Sequence, residues 1–235
     1  MNIMLIAGTD TEVGKTVLTT SLAAYWQAYR SLDTLGVMKL IQSGIGDREL
    51  YTQLFSLNQS PESINPLHFP DPIAPPLAAA NLGQEVDLGK VWQSSISLSA
   101  QKDYVLVEGI GGLGTPVTWE LTVADLARDW ALPTVLVVPV KLGAIAQAVA
   151  NVALARQYGV SLKGIVLNCI RPTTNEDISN LAPANLIASL TNIPVLGVMP
   201  YLSDPQDLVK LAEVASDLDI EILLPHPIKT LTLVK

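Results

Sequence analysis

Short apolar runs recur along the chain, and segments with a helical spacing of apolar residues lie between them. The first run, residues 3–7, reads Ile-Met-Leu-Ile-Ala, and the next segment places Leu18, Leu22 and Trp26 four residues apart. A short, continuous apolar run is typical of a buried strand, whereas a four-residue spacing is typical of a helix with one buried side. The start of the chain therefore predicts a strand, a loop and a helix.

This alternation continues to residue 218. We predict strands at residues 4–7, 34–38, 104–107, 133–138, 164–168 and 194–198, and helices at residues 15–30, 46–57, 86–100, 122–130, 144–158, 178–190 and 207–218. Residues 58–76, rich in proline and polar side chains, are predicted to form a surface loop. Alternating strands and helices favour a mostly parallel sheet with helices on both faces, so we expect one α/β domain over residues 1–235.

A glycine-rich loop joins the first predicted strand to the first predicted helix. Gly8 ends the apolar run, and Gly14, Lys15 and Thr16 open the helix. The backbone N–H groups of such a loop turn inward and the helix N-terminus adds partial positive charge, so the loop binds phosphate. Lys15 would reach the outer phosphates, and the Thr16 hydroxyl would ligate Mg²⁺. We therefore predict a P-loop NTPase-type fold, although Gly8 lies one residue early and a chance glycine-rich turn is the alternative.

Other polar residues follow predicted strands, where the carboxyl ends of parallel strands line a site. Lys39 and Ser43 follow the second strand, Asp47 opens the next helix, and Glu108 ends a buried strand. An acid at such a strand end, beside a phosphate-binding loop, is placed to hold Mg²⁺. The alternatives are a solvated lysine at Lys39, a helix N-terminal acid at Asp47 with Glu49 as the ligand, and an ordinary strand-end charge at Glu108.

Composition and charge narrow the range of functions. Apolar residues make up 49% of the 235 residues, and the net charge of −8 disfavours a nucleic-acid partner. No apolar run is long enough to span a bilayer, and no secretory signal is recognisable at the N-terminus. Cys169 is the only cysteine, so no disulfide forms within the chain and a reducing cytoplasm fits.

The loop sequence Gly-Thr-Asp-Thr-Glu-Val-Gly-Lys-Thr at residues 8–16 resembles the fingerprint of the dethiobiotin synthetase family, residue for residue. Three further family motifs are similar. Lys39, Ser43 and Gly44 match the family's Lys-Pro-Val-x-Ser-Gly, and Glu108 begins a match to Glu-Gly-Ala-Gly-Gly. Val-Lys-Leu-Gly is intact at residues 140–143. The departures include Leu40 for proline, Ile41 for valine and, in the turn after residue 143, Ala146 for asparagine.

The resemblance implies an ATP-dependent ligase of biotin biosynthesis that acts on 7,8-diaminononanoate. CO₂ or bicarbonate supplies a carbamate on one amine, ATP activates it as a mixed anhydride with phosphate, and the second amine closes the ring. ADP and phosphate are released. The family also implies Mg²⁺ as cofactor and a homodimer, because the helix start after Gly143 binds the substrate carboxylate across the interface. No nucleic acid or membrane partner is expected.

The resemblance also assigns roles to residues of this chain. The implied catalytic residues are Lys39, Lys15 and Thr11. The implied substrate-binding residues are Thr11, Lys39, Ser43, Gly143, Ala144 and Ile145. The implied metal ligands are Thr16, Asp47 and Glu108. The implied ATP-binding residues are Glu12, Val13, Gly14, Lys15, Thr16, Val17, Asp47, Glu108, Gly109, Ile110, Gly111, Asn168, Cys169, Pro200, Tyr201 and Leu202. Asn168 would pair with adenine, unless it is only a strand-end turn residue, and a further base contact falls at Gln206 or Asp207.

Two other functions remain as hypotheses. A cobyrinic acid amidase of the same fold group usually carries an added glutaminase domain, for which 235 residues leave no room. A nucleotide-dependent switch of the partitioning and septum-site type predicts a signature lysine at position 10, where this chain has Asp10. Both are disfavoured by these features.

Overall fold

The computed structural model describes residues 2–225, and its main sheet contains six parallel strands in the order β2-β5-β1-β6-β7-β8. The strands of the chain are β1 Ile3–Gly8, β2 Leu35–Lys39, β3 Ile41–Ser43, β4 Leu67–Phe69, β5 Tyr104–Gly112, β6 Thr134–Pro139, β7 Leu162–Asn168 and β8 Val195–Met199. Strands β3 and β4 pair in parallel as a separate two-stranded sheet.

Helices connect these strands. They are α1 Lys15–Tyr29, α2 Asp47–Leu54, α3 Pro61–Ile64, α4 Pro75–Asn81, α5 Leu88–Gln101, α6 Val123–Asp129, α7 Ala144–Tyr158, α8 Asn175–Leu181, α9 Ala184–Thr191, α10 Leu208–Ser216 and α11 Ile220–Leu223, with a short 3-10 helix at Leu32–Thr34. Within residues 2–225, no helix is both long and apolar enough to cross a membrane.

The core lies on both faces of the main sheet, as β1 illustrates. Ile3, Leu5 and Ala7 pack into one apolar cluster, with residues of α5, α6, α7 and α9. Met4 and Ile6 pack into a second cluster, with residues of α1, α2, α10 and α11. Successive side chains of a strand point to opposite faces, so a strand covered on both faces must be apolar throughout. The predicted fold class, a mostly parallel sheet between two layers of helices, is confirmed.

Two predictions about local structure are wrong. The helix predicted at residues 178–190 is two helices, α8 and α9, separated at Pro183. Proline lacks a backbone N–H and disfavours a helical conformation in the residue before it, and Ala182 accordingly leaves the helix at φ −143°. The loop predicted at residues 58–76 contains α3 and β4, and α4 already begins at Pro75.

The carboxyl ends of the parallel strands meet along one edge of the main sheet, and the loops that follow them gather there. β1 lies in the middle of the sheet between β5 and β6, so the loop after β1 has neighbours on both sides. β5 extends beyond the predicted residues 104–107 as far as Gly112, which pairs with Gly8. The predicted domain over residues 1–235 includes Met1 and residues 226–235, which lie outside the described range.

Candidate active site

The loop between β1 and α1 is fixed by close packing around Gly14. Gly14 has φ 99°, and a Cβ atom there would lie 1.9 Å from the Nδ2 atom of Asn168. That amide nitrogen donates a hydrogen bond to the Val13 carbonyl at 2.9 Å. Glycine is therefore required at position 14 both by its left-handed conformation and by the approach of the side chain at the end of β7.

Lys15 lies at the start of α1 with only 5% of its surface exposed. Its Nζ atom donates to the Asp10 carbonyl at 2.9 Å, which folds the loop around the ammonium group. Burial lowers the pKa of Lys15 to about 8, and the positive charge of Lys39 adds to that effect despite nearby carboxylates. Lys15 forms no direct ion pair with a carboxylate among the described residues, so this buried cation would gain from an anionic ligand in the cleft.

Oxygen atoms from three elements converge beside Lys15. The Thr16 Oγ1 atom lies 3.0 Å from Asp47 Oδ1 and 3.0 Å from Glu108 Oε1. Thr16 belongs to α1, Asp47 begins α2, and Glu108 lies in β5, so three separate segments build this oxygen cluster. Glu49 instead accepts hydrogen bonds from Gln42 and from the Gly46 backbone, as part of the cap of α2. The cluster contains two carboxylates and a hydroxyl. Within residues 2–225, no group of three or more histidine, cysteine or acidic side chains is placed to hold a metal ion.

Lys39 is buried against the same carboxylates. Its Nζ atom lies 2.7 Å from Asp47 Oδ2 and 2.8 Å from Glu108 Oε1, and it donates to the Gly109 carbonyl at 2.9 Å. An ammonium group has three N–H donors, so these three contacts use all of them. Burial acts to lower the pKa of Lys39, but Glu108 and Asp47 outweigh burial and the pKa is raised. Lys39 therefore stays protonated.

Tyr51 is a residue of the site that the sequence analysis missed. It is fully buried, and its hydroxyl donates a hydrogen bond to Glu108 Oε2. Burial and the charge of Glu108 raise the pKa of Tyr51 well above its usual value. Tyr51 lies four residues after Asp47 in α2, so the two side chains share one face of the helix. That four-residue spacing is the feature of the sequence from which Tyr51 could have been predicted to lie near the site.

A cleft of about 660 Å³ opens in front of these residues. Ser43 lines it, and its Oγ atom is buried with no hydrogen-bond partner among the described residues. The Ser43 backbone is held in the small sheet, and His68 Nε2 lies 2.8 Å from the neighbouring Gly44 carbonyl. The cleft residues are Thr11, Glu12, Gly14, Lys15, Thr16, Lys39, Gln42, Ser43, Ile45, Gly46, Asp47, Pro72, Ile73, Ala74, Pro75, Glu108, Ile110, Gly111 and Thr115.

The remaining predicted site residues lie outside this cleft. Val13, Val17 and Gly109 belong to the surrounding loop, helix and strand, and Asn168 and Cys169 lie at the end of β7. Pro200, Tyr201 and Leu202 follow β8. Gly143, Ala144 and Ile145 form the N-terminal end of α7, where Gly143 caps the helix at φ 90°. Asp207 caps α10 by accepting hydrogen bonds from two backbone N–H groups.

Comparison with known proteins identifies the family. A family model described as an AAA domain matches residues 2–207. The ATP-dependent dethiobiotin synthetase of Gloeothece citriformis is 60% identical over 225 residues, which cover 96% of this chain and 100% of that protein. The protein of the same name from Crocosphaera subtropica is 59% identical over 95% of this chain and 100% of its own length. The chain belongs to the dethiobiotin synthetase family.

Family membership confirms the predicted resemblance. Among solved structures, a ParA family ATPase from Chlorobium tepidum TLS superposes with a TM-score of 0.53 and 15% identity, covering 94% of this chain and 96% of the other. At that identity the likeness shows the fold alone. It confirms the predicted P-loop type of α/β fold, while the dethiobiotin synthetase relatives identify the branch.

Proposed function

We propose that the protein is an ATP-dependent dethiobiotin synthetase that converts 7,8-diaminononanoate, CO₂ and ATP to dethiobiotin, ADP and phosphate. The family relationship over almost the whole chain supports this proposal. The structural observation that carries it is the cleft lined by Lys15, Lys39 and Ser43, whose hydroxyl has no hydrogen-bond partner among the described residues. Two cations and a hydroxyl donor suit a substrate that gains negative charge at both phosphate and carbamate oxygens.

The loop after β1 would hold the nucleotide phosphates. Backbone N–H groups of residues 12–17 and the N-terminal end of α1 favour anions, and Lys15 would pair with the outer phosphates. The oxygen cluster of Thr16, Asp47 and Glu108 has the hard donors that Mg²⁺ prefers, so these residues would hold the cation. When bound, Mg²⁺ would offset negative charge on the phosphate oxygens.

The proposed chemistry has three steps, and the chain's residues position the reactants in each. One amine of the diamine adds to CO₂ and loses a proton, which gives a carbamate. A carbamate oxygen attacks the γ-phosphorus of ATP, and ADP leaves. The second amine then attacks the carbamate carbon, closes the cyclic urea and expels phosphate. No covalent intermediate with the enzyme is required, so positioning and electrostatic stabilisation account for the rate.

Thr11, Lys39 and Ser43 would hold the carbamate. The Ser43 hydroxyl has no partner to give up, but its Oγ atom is buried, so the side chain must turn toward the cleft to donate to a ligand oxygen. Lys39 differs, because all three of its N–H groups are already used by Asp47, Glu108 and the Gly109 carbonyl. Lys39 must therefore exchange at least one of these bonds before it can contact a carbamate.

A homodimer is part of the proposal. Gly143, Ala144 and Ile145 would bind the substrate carboxylate through backbone N–H groups, yet they do not line the cleft of their own chain. The preceding Leu142 is 87% exposed, and Val149 on α7 is also exposed, which leaves apolar surface available to a second subunit.

Asn168, Cys169 and residues 200–202 would contact the adenine base. A cytoplasmic location is proposed from the single, buried Cys169.

The experiment is phosphate release from MgATP by the purified protein, with and without the diamine and bicarbonate. We expect release that needs both compounds and that falls sharply in Lys39→Ala. Lys102→Ala is the matched control, because Lys102 is also buried but donates to the Asp33 carbonyl away from the cleft. Release that ignores the diamine would overturn the proposal and leave an ATPase with another partner.

A further inference from the structure

Tyr51 stands behind the predicted cation site without reaching the cleft. Its side chain is fully buried in α2, and the cleft-lining residues do not include it. Its hydroxyl donates to one oxygen of Glu108, Oε2. Tyr51 thus links α2, which begins with Asp47, to Glu108 in β5.

The two oxygens of Glu108 have different surroundings. Oε1 lies 3.0 Å from the Thr16 hydroxyl and 2.8 Å from Lys39 Nζ, on the cleft side. Oε2 is turned inward and accepts from Tyr51. Glu108 is 1% exposed, so water does not compete for Oε2 and the phenol takes the place of solvent there. A carboxylate fixed at one oxygen cannot rotate without losing that bond.

We propose that Tyr51 is a positioning residue that orients Glu108 so that Oε1 alone is presented to the cation. This inference rests on the proposed magnesium site and adds a residue behind its ligands. Groups that hydrogen-bond to metal ligands fix the ligand orientation, and their loss typically weakens metal binding by roughly 10- to 100-fold. Removal of the Tyr51 hydroxyl leaves a buried carboxylate oxygen without its donor, so Glu108 would turn or recruit another partner.

The test measures nucleotide binding and needs no turnover. ADP is titrated calorimetrically into the full chain in EDTA and again in excess Mg²⁺, and the ratio of the two dissociation constants gives the magnesium enhancement. We expect Tyr51→Phe to reduce that enhancement at least roughly tenfold, with ADP affinity in EDTA unchanged. An enhancement equal to that of the wild type in folded Tyr51→Phe would overturn the proposal.

Tyr104→Phe is the matched control. Tyr104 is also a buried tyrosine, and its hydroxyl donates to the Leu223 carbonyl at 3.0 Å, outside the cleft. Both variants lose one buried hydroxyl bond, so a general loss of stability would affect both, whereas the magnesium enhancement should fall only in Tyr51→Phe. If Tyr51→Phe does not fold, Tyr51→Leu removes the same hydroxyl with a side chain suited to the surrounding apolar cluster.

A double-mutant cycle assigns the effect to Glu108. In Glu108→Gln, where the charged ligand is absent, a further Tyr51→Phe substitution should change the magnesium enhancement little. Additive effects of the two substitutions would contradict a role exerted through Glu108. The outcome is separable from the proposed function, because ADP binding does not involve the diamine. Phosphate release that ignores the diamine would reject the ligase while leaving the Tyr51 result intact.

Discussion

At the carboxyl edge of the main sheet, where we propose that the nucleotide binds, two halves are built differently. At the ends of β1, β2 and β5, buried ions dominate: Lys15, Lys39 and Glu108 are each no more than 5% exposed. At the ends of β7 and β8, no charged side chain is buried in the described part of the chain, and Tyr201 is 44% exposed. The first half is a preorganised electrostatic site. The second half offers the backbone after β7 and β8 and the exposed aromatic ring of Tyr201. Removal of a charged side chain from the first half should therefore reduce ADP binding and phosphate release far more than removal of a base contact from the second half.

The largest effect is expected at Lys15. Lys15→Ala should lower diamine-dependent phosphate release by about 10²–10³-fold, because a preorganised positive group no longer faces the charge that develops on the phosphates. ADP affinity in EDTA should also fall. Steady-state kinetics and calorimetry measure the two quantities, with Lys102→Ala as the buried-lysine control. If phosphate release fell by less than tenfold, the backbone N–H groups of the loop would suffice to stabilise the phosphates. The two halves would then differ less than their buried charges indicate.

Gly14 and Gly143 compare the phosphate loop of the first half with the N-terminal end of α7, which follows β6, through the same substitution. Both have left-handed backbones, at φ 99° and 90°, so alanine should cost each about 1–2 kcal/mol of unfolding free energy. A Cβ atom at Gly14 also meets the Asn168 amide at 1.9 Å, whereas nothing lies within 4 Å of a Cβ atom at Gly143. We expect Gly14→Ala to be the more destabilising in urea unfolding and to lose ADP binding.

Gly143→Ala should keep ADP binding, since the described contacts of Gly143 are remote from the phosphate loop. Equal losses of stability in the two variants would show that Asn168 moves aside at little cost. In that case Asn168 does not restrain the loop, and its hydrogen bond to Val13 contributes little to the site.

A smaller effect is expected at Tyr201. Tyr201→Ala should weaken ADP binding by about tenfold, since stacking of a base on an aromatic ring contributes about 1–3 kcal/mol. Binding of inorganic tripolyphosphate should be unchanged, because it engages only the phosphate half. Tyr29→Ala is the control, a tyrosine of similar exposure (42%) on α1. A parallel loss of tripolyphosphate binding would show that the two halves are coupled.

The same contrast explains what could be predicted from the sequence. Lys15, Thr16 and Glu108 were assigned because each follows a recognisable strand at a fixed spacing, and the structure brings them together. The sequence analysis missed Tyr51, because an aromatic residue in a helix usually packs in the apolar core. Only its four-residue spacing from Asp47 indicates a place near the site. The strands β3 and β4 have three residues each, too few to show a periodicity. The sequence analysis missed the helix break at Pro183, because the apolar spacing on either side of it indicates one continuous helix.

The smallest effect concerns Cys169, in the second half of the edge. Burial raises the pKa of the Cys169 thiol, with a hydrogen bond to Thr173 acting in the opposite direction. The folded protein therefore retains a proton at a pH where the unfolded chain has lost it, so stability falls as the pH rises through the thiol pKa values. We expect iodoacetamide to alkylate the folded protein more slowly than the urea-unfolded chain at pH 8, with a rate that increases with pH because only the thiolate reacts. Mass spectrometry follows the modification, and bound ADP should slow it further if the base lies against residues 168–169. Equal rates for the folded and unfolded chains would show that this half of the edge is more open than its contacts indicate.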